Sequence, residues 1–296
     1  MLVATIDVGT NSVKLLLAEV CPPEIVPVME KVVVTRLGEG LSRAGRIGPI
    51  PAERTFVQVN DFLESLHPFP VQKICLAGTR AFRAAQNGKE IMKEWKRALT
   101  IPTRILSGRE EARLAFLAAC PNHPSTTTAI DIGGGSTEIS YGKKGTLLQF
   151  RSLTMGAVSL TEELLYGNPP TSEQIMEAKT FIRTQLNRLP PITKELTGVG
   201  GTIATALGIR LRKNPTPSNV HNRTLPLDEV KRLFHRLIRK RLEKRLTMRG
   251  LSPGRADILP AGLLILQEYM EWSHHDRLRV SSHGLRHGLA LHLAKR

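Results

Sequence analysis

The 296-residue chain is poor in cysteine, in aromatic side chains and in acidic charge. Its cysteines, Cys21, Cys75 and Cys120, are odd in number and form no CxxC pair, which argues against a disulfide framework and a cysteine zinc site. Aromatic residues make up 4% of the chain and no reader motif is present, so nucleic acid is not expected as the specific partner, although the charge would tolerate it. No apolar run reaches the roughly 20 residues of a bilayer span. The N-terminus lacks the charged start and small-residue cleavage pattern of a signal peptide, so a cytoplasmic location is expected. Low-complexity sequence is absent, and a hydrophobic content of 41% over this length is enough for two domains with cores of their own.

Acidic residues number 26 against 42 lysines and arginines, a net charge of +16 that should draw polyanions. The cations gather most densely over 231–249, where Glu243 is the only acid. Leu233, Leu237, Ile238, Leu242 and Leu246 recur there at helical spacing, which predicts one amphipathic helix with a basic outer face. That face could be a solvated surface, a guide for a polyanion or a membrane-surface helix.

One short pattern, Asp-x-Gly-x-x-Ser, occurs twice: Asp7-Val8-Gly9-Thr10-Asn11-Ser12 and Asp131-Ile132-Gly133-Gly134-Gly135-Ser136. Each copy follows an apolar run and precedes a β-prone run, which predicts strand, tight glycine turn, strand. The repetition suggests two similar α/β domains facing each other across a cleft, 1–124 and 125–296, parted at Pro121–Ser125. The terminal helix could pack back on the first. Each domain would offer one carboxylate and one loop of convergent amides, a suitable cradle for phosphate.

The expected order begins with a meander to about Thr35 and an exposed glycine-rich loop at Leu37–Pro51. Helix Ala52–Leu66, strand Val71–Ala77, a loop carrying Thr79, Arg80 and Arg83, strand Thr103–Leu106 and helix Arg109–Ala119 follow. The second half restarts with Thr127–Ile132 and a hairpin, then helices near Leu160–Leu165 and Ser172–Leu189, the latter capped by Thr171 or Ser172. Strand Glu195–Val199 opens into Gly200-Gly201-Thr202 and a helix to Leu211. After the turn-rich Asn214–Leu227 come the basic helix, an apolar helix over Ile258–Tyr269, strand Leu278–Ser281 and helix Leu285–Ala294.

Asp7 and Asp131 end apolar strands, where a carboxylate can hold Mg²⁺ directly or through water. At the same offset beyond each stand Lys14 and Glu138, equivalent positions if the hairpins share register. Glu138 then reads as a metal or water carboxylate and Lys14 as its cationic opposite. Thr10, Asn11, Ser12, Ser136 and Thr137 add donors beside the turns. In Ser107-Gly108-Arg109-Glu110-Glu111 a serine cap and first-turn acids start a helix. One glutamate can be structural while the other polarises water, and periodicity leaves the choice between Glu110 and Glu111 open. Arg80 and Arg83 could donate to phosphate oxygens or form surface ion pairs. Gly200, Gly201 and Thr202 read as a strand-to-helix phosphate turn, and Gly156 as a close-approach glycine. His274, His275, His283, His287 and His292 form no zinc set and read as surface or packing residues.

Taken together, IDVGTNSVKLLLAE, ILSGREEARLAFLA, AIDIGGGSTEISYG, SLTMGAVSLTEE, LTGVGGTIATA and LSPGRADILPAGLLIL resemble the successive motifs of the exopolyphosphatase / guanosine pentaphosphate phosphohydrolase family, in a short two-domain form. The resemblance runs from Thr5 to SSHGLRHGLAL. It implies duplicated ribonuclease-H-like domains of the actin / sugar-kinase / Hsp70 superfamily with an interdomain cleft, and removal of terminal phosphate from polyphosphate or guanosine pentaphosphate. Mg²⁺ is the implied cofactor, Mn²⁺ the alternative, and no organic cofactor is implied. The family's catalytic glutamate falls on Glu111 and its arginine on Arg83. Its metal and water residues fall on Asp7, Asp131 and Glu138. Its phosphate loops fall on Gly9–Ser12, Gly133, Gly134, Gly135, Ser136 and Thr137, and on Gly200–Thr202. Departures are Gly78-Thr79-Arg80-Ala81 where the family often has Ala-Thr-Ser-Ala or Ala-Thr-Asn, and His287 where it often has Glu. The chain also stops short of the C-terminal helical domains of long members. Polyphosphate is the first substrate expected. Guanosine pentaphosphate hydrolysis, phosphotransfer from polyphosphate, and non-catalytic polyanion binding are the alternatives, and a homodimer is left open.

Overall fold

The computed structural model describes residues 1–121, 125–189 and 193–295, and the break expected at Pro121–Ser125 falls largely on 122–124, outside the described residues. The chain divides into two compact units, one of Met1–Pro121 with His283–Arg296, the other of Asn122–Ser282.

The first unit contains β1 (Leu2–Val8), β2 (Ser12–Cys21), β3 (Glu24–Val34), α1 (Leu41–Ala44), α2 (Pro49–Glu64), β4 (Lys73–Gly78), α3 (Arg80–Ala84), α4 (Gly88–Leu99), β5 (Thr103–Ile105) and α5 (Gly108–Ala119). Its sheet has the order β3-β2-β1-β4-β5, antiparallel through the meander and parallel from β1 to β5. Strand β1 is apolar on both faces because both are covered. Ala4, Ile6 and Val8 join Val59 and Phe62 of α2 and Met92 and Trp95 of α4 in one core. Val3 and, on β2, Leu16 and Ala18 point the other way.

The second unit contains β6 (Thr127–Ile132), β7 (Thr137–Lys143), β8 (Thr146–Leu153), α6 (Ala157–Glu163), α7 (Ser172–Leu186), β9 (Glu195–Val199), α8 (Gly201–Leu211), α9 (Pro217–Val220), β10 (Thr224–Pro226), α10 (Leu227–Ile238), α11 (Leu242–Leu246), α12 (Leu259–Trp272) and β11 (Arg277–Val280). Its sheet order is β10-β11-β9-β6-β7-β8. Read from β8, the strands repeat the order and the strand senses of the first sheet, with β10 added at the far edge. Helix α12 is buried along its whole length from Leu259 to Met270 and forms the centre of this core. The chain then returns to the first unit in α13 (Leu285–Ala294), whose Ala290 and Leu291 cover Val3, Leu16 and Ala18, while Leu285 and Leu289 pack with Leu114 of α5.

Several expectations need correction. The glycine-rich segment Leu37–Pro51 is not an exposed loop: Leu37, Leu41 and Ile47 are core residues, and the segment holds α1 and the start of α2. Arg80 and Arg83 stand on the short helix α3 rather than in a loop. Between α3 and β5, where the expected order has no element, the chain forms the strongly amphipathic α4.

The basic stretch is not one helix. It breaks after α10, and α11 turns so that Leu246 is exposed while Arg245 is buried. Helical spacing alone assigned those two residues to the opposite faces. Arg245 donates from Nε to the carbonyls of Leu237 and Lys240, at 3.0 and 2.9 Å, and from Nη1 to that of Ala256 at 3.4 Å. It thus adds a donor to the Leu237 carbonyl, which already accepts from the Lys240 N–H at 3.0 Å, and supplies one to the Lys240 carbonyl just past the end of α10. The cysteines are free, and among the described residues no helix is long and apolar enough to cross a membrane.

Candidate active site

The repeated pattern folds in the same way twice. Gly9 N–H donates to the Ser12 carbonyl at 3.0 Å and Gly133 N–H to the Ser136 carbonyl at 2.9 Å. A Cβ on either glycine would meet that same carbonyl, at 3.2 Å for Gly9 and 3.1 Å for Gly133. Registers agree as well: Asp7 lies opposite Lys14 and Asp131 opposite Glu138. Residues directly opposite in an antiparallel pair share a face, so each turn carries a pair of neighbouring charged side chains.

The pairs differ in chemistry. Lys14 Nζ donates to Asp7 Oδ2 at 3.0 Å, so this cation, expected at phosphate, is directed at the aspartate beside it. In the second unit two carboxylates face each other, and Ser152 Oγ, opposite Glu138 on β8, donates to Glu138 Oε1 at 2.8 Å.

The donors around the turns are buried, and their roles diverge. Asn11 Nδ2 has no partner among the described residues, although the Asn11 backbone carbonyl accepts from the Thr35 and Arg36 N–H groups. A buried amide with a free donor calls for a ligand or water. Thr137 Oγ1 instead donates to the Met155 carbonyl at 2.8 Å, holding its own unit together. Gly156 lies against the backbone of Gly134 and Gly135, where a Cβ would collide. The Gly134 carbonyl accepts from Val158 and Ser159 at the start of α6, which fixes the turn from behind.

Helix α5 separates its first-turn glutamates. Ser107 caps it and Glu110 closes the capping box: Glu110 N–H reaches Ser107 Oγ at 3.2 Å, and Ser107 N–H donates to Glu110 Oε2 at 2.9 Å. Arg104 adds an ion pair to Glu110 at 3.3 Å. The bonds from Ser107, first the backbone one, hold the Glu110 carboxyl below its ordinary range. Glu111 points elsewhere and pairs with Arg83, whose Nη1 lies 2.7 Å from Glu111 Oε2 and also donates to the Leu106 carbonyl at 2.8 Å. Both side chains are half-buried. Arg80, in the first turn of α3, is half-buried and has no side-chain partner among the described residues.

The third glycine turn joins Asp131. Gly200 has φ +93°, a conformation that favours glycine, and a Cβ there would run into Asp131 Oδ1. A Cβ on Gly201 would run into the Arg255 guanidinium, while Thr202 is buried against Gly262 of α12. Arg255 therefore lies over the turn. Burial pulls its guanidinium below its usual range, and the Asp131 carboxylate opposes that. Sequence reasoning missed Arg255, although it stands in the quoted LSPGRADILPAGLLIL, because no local pattern ties it to a residue so far back in the chain. Ser152 was missed for the same reason: only the β7–β8 register brings it to Glu138.

Among the described residues no three His, Cys, Asp or Glu side chains converge as a metal centre. Asp131 and Glu138 are oxygen donors of the kind that suits Mg²⁺ or Mn²⁺, ions that keep bound water and take further ligands from phosphate. The donor set fits such an ion and does not fit structural zinc. Asp7, the remaining carboxylate expected at a metal, has one oxygen on Lys14. His287, expected at the surface or in packing, is 1% exposed and lies 2.9 Å from Glu30 through Nε2.

The chain is 30% identical over 314 residues to an exopolyphosphatase 2 of Mycobacterium tuberculosis, covering 99% of this chain and 98% of that protein. A putative exopolyphosphatase of Haemophilus influenzae is 26% identical over 303 residues, covering 99% and 91%. The crystal structure of the Aquifex aeolicus member of the Ppx/GppA family superimposes with a TM-score of 0.85 at 28% identity, over 100% of this chain and 98% of that one. The profile of the Ppx/GppA phosphatase family matches residues 17–296. With an α/β fold of the same type, the chain belongs to the Ppx/GppA phosphatase family and is an enzyme of that hydrolase family.

Proposed function

We propose that the chain releases terminal orthophosphate from inorganic polyphosphate by metal-assisted hydrolysis, with Glu111 as the residue that positions and activates water. The observation carrying this reading is the separation of the α5 glutamates: Glu110 closes the helix cap, while Glu111 is oriented by Arg83 at 2.7 Å. A water oxygen forms a bond to the terminal phosphorus and the bridging P–O bond breaks. The water proton passes to the Glu111 carboxylate, and the shortened chain leaves with the electron pair of the broken bond. Arg83, which has five N–H donors, orients Glu111 and presents its remaining donors to the phosphoryl oxygens as charge develops.

The turns Gly9–Ser12 and Gly133–Thr137, with Gly200, Gly201, Thr202 and Arg80, bind phosphoryl groups, and Arg255 adds a cation over the third turn. Asp131 and Glu138, with Asp7, would hold Mg²⁺ or Mn²⁺, and such an ion would supply neutralising charge to the transferring group. Ser152 holds one Glu138 oxygen in place. The shared strand order and the matching turns support two ribonuclease-H-like domains of the actin / sugar-kinase / Hsp70 superfamily.

Glu111→Gln should lower phosphate release from long polyphosphate by about 10²–10⁴-fold, the usual worth of a positioned base, while polyphosphate binding persists. Turnover near the wild-type value would overturn the assignment. Faster release from guanosine pentaphosphate than from polyphosphate would move the substrate to the nucleotide, and ATP formed from polyphosphate and ADP would move the reaction to phosphotransfer.

A further inference from the structure

The basic segment that breaks after α10 has no part in the site described so far, yet it is built onto it. Arg236, Arg239, Arg241, Lys244 and Arg249 are all exposed, and none has an ion pair among the described residues. Arg236 and Arg239 at the end of α10, and Arg241 and Lys244 at the start of α11, stand three residues apart, a spacing of like charges that costs stability unless an anion offsets it. The acids nearby are engaged: Glu229 pairs with Arg232, Glu271 with Lys231, and the fields of Asp257 and Glu243 act on buried Arg245.

Two contacts tie the ridge to the third glycine turn. Arg245 bonds the carbonyl of Ala256, the residue after Arg255. Gly250, at φ +83°, follows Arg249 directly and lies so close to Gly208 of α8 that a Cβ would collide with its backbone. Helix α8 thus has the Gly200–Gly201 turn and Asp131 at its start and the end of the basic ridge at Gly208. Along the helix these points are on the order of 10 Å apart.

We infer that the exposed cations Arg236, Arg239, Arg241, Lys244 and Arg249, from the last turn of α10 through the break to the residues after α11, form a distal subsite for the phosphoryl groups of a polyphosphate chain beyond the one that reacts. This inference rests on the polyphosphate reading above and specifies how length would be sensed. Tripolyphosphate is too short to run from one end of α8 to the other, whereas a long chain engages both ends. The ridge reads charge and repeat without reading a base.

The test is the triple variant Arg239→Gln/Arg241→Gln/Lys244→Gln. Its control, Lys93→Gln/Lys96→Gln/Arg97→Gln, removes the same charge from the exposed face of α4. Equilibrium binding of long polyphosphate should weaken about tenfold in the ridge variant, with a shallower salt dependence, as expected when phosphate contacts are removed. KM for long polyphosphate should rise in parallel, while kcat/KM for tripolyphosphate and all constants of the control variant stay within about twofold of wild type. Equal weakening by the ridge and control variants would overturn the inference, since net charge alone would then account for binding. Equal effects on long and short chains would overturn it too. Unchanged polyphosphate binding with loss of RNA or anionic-vesicle binding would assign the ridge to another partner. Binding is read without turnover, so a wild-type protein that binds but releases no phosphate refutes hydrolysis and still decides the subsite.

Discussion

Glu30 is a carboxylate held among cations on the covered face of the first sheet. Arg286 lies 3.3 Å from Oε1 and His287 2.9 Å from the same oxygen, with His283 stacked on His287 at 4.4 Å. Burial raises the Glu30 carboxyl, but the His287 contact and the fields of Arg286, His287 and His283 outweigh it, so the net displacement is downward from 4.5. A carboxyl depressed in the folded state contributes stability that is present above its unfolded value and lost as pH falls through the folded one. Thermal unfolding of the first unit should therefore move to lower temperature as pH drops below about 4.5, and Glu30→Gln should flatten that acid limb while lowering stability at neutral pH. Identical acid slopes would show that Glu30 is not the titrating group. Glu30 itself carries no sequence signal, because the partners that define it lie at the far end of the chain.

At the scale of elements, local patterns gave the site hairpins, α5, α8 and α13 nearly to the residue, since capping boxes, glycine turns and period-two apolar runs are local physics. The basic stretch shows where such reasoning ends. The apolar period continues through the break, but Arg245 turns inward there to donate to the Leu237 and Lys240 carbonyls. Arg245→Met keeps the bulk and removes the donors, so the Lys240 and Ala256 carbonyls lose the guanidinium and the Leu237 carbonyl keeps backbone N–H donors only. Loss of stability of about 1–3 kcal/mol is expected in urea unfolding of the second unit. An unchanged midpoint would mean that water replaces the guanidinium.

At the scale of the molecule, α13 belongs to the unit that the chain left at Pro121. Leu285, Leu289 and Leu291 are 6%, 1% and 3% exposed there. Burial of a leucine is worth roughly 1.5–3 kcal/mol, so together they supply an amount comparable with the net stability of a domain, about 5–15 kcal/mol. A chain ending at Ser282 should lose the cooperative thermal transition of the first unit and keep that of the second. Retention of both transitions would show that the sheet stands without its terminal helix.

The amino-acid sequence alone carries the repeated carboxylate-and-glycine turns, the asymmetry of Lys14 against Glu138, the cap at Ser107 and the family, because each is written in residues close together along the chain. It left Glu110 and Glu111 equivalent by periodicity. The resemblance pointed to Glu111, and the physical reason lies in contacts of the folded chain, which close the cap on Glu110 and bring Arg83 to Glu111. Only tertiary structure places Arg255 over the third turn, Ser152 on Glu138 and Arg245 beneath the basic ridge. These contacts form when distant segments pack, and the free energy that selects them comes from burial and paired polar groups that no short window of sequence contains.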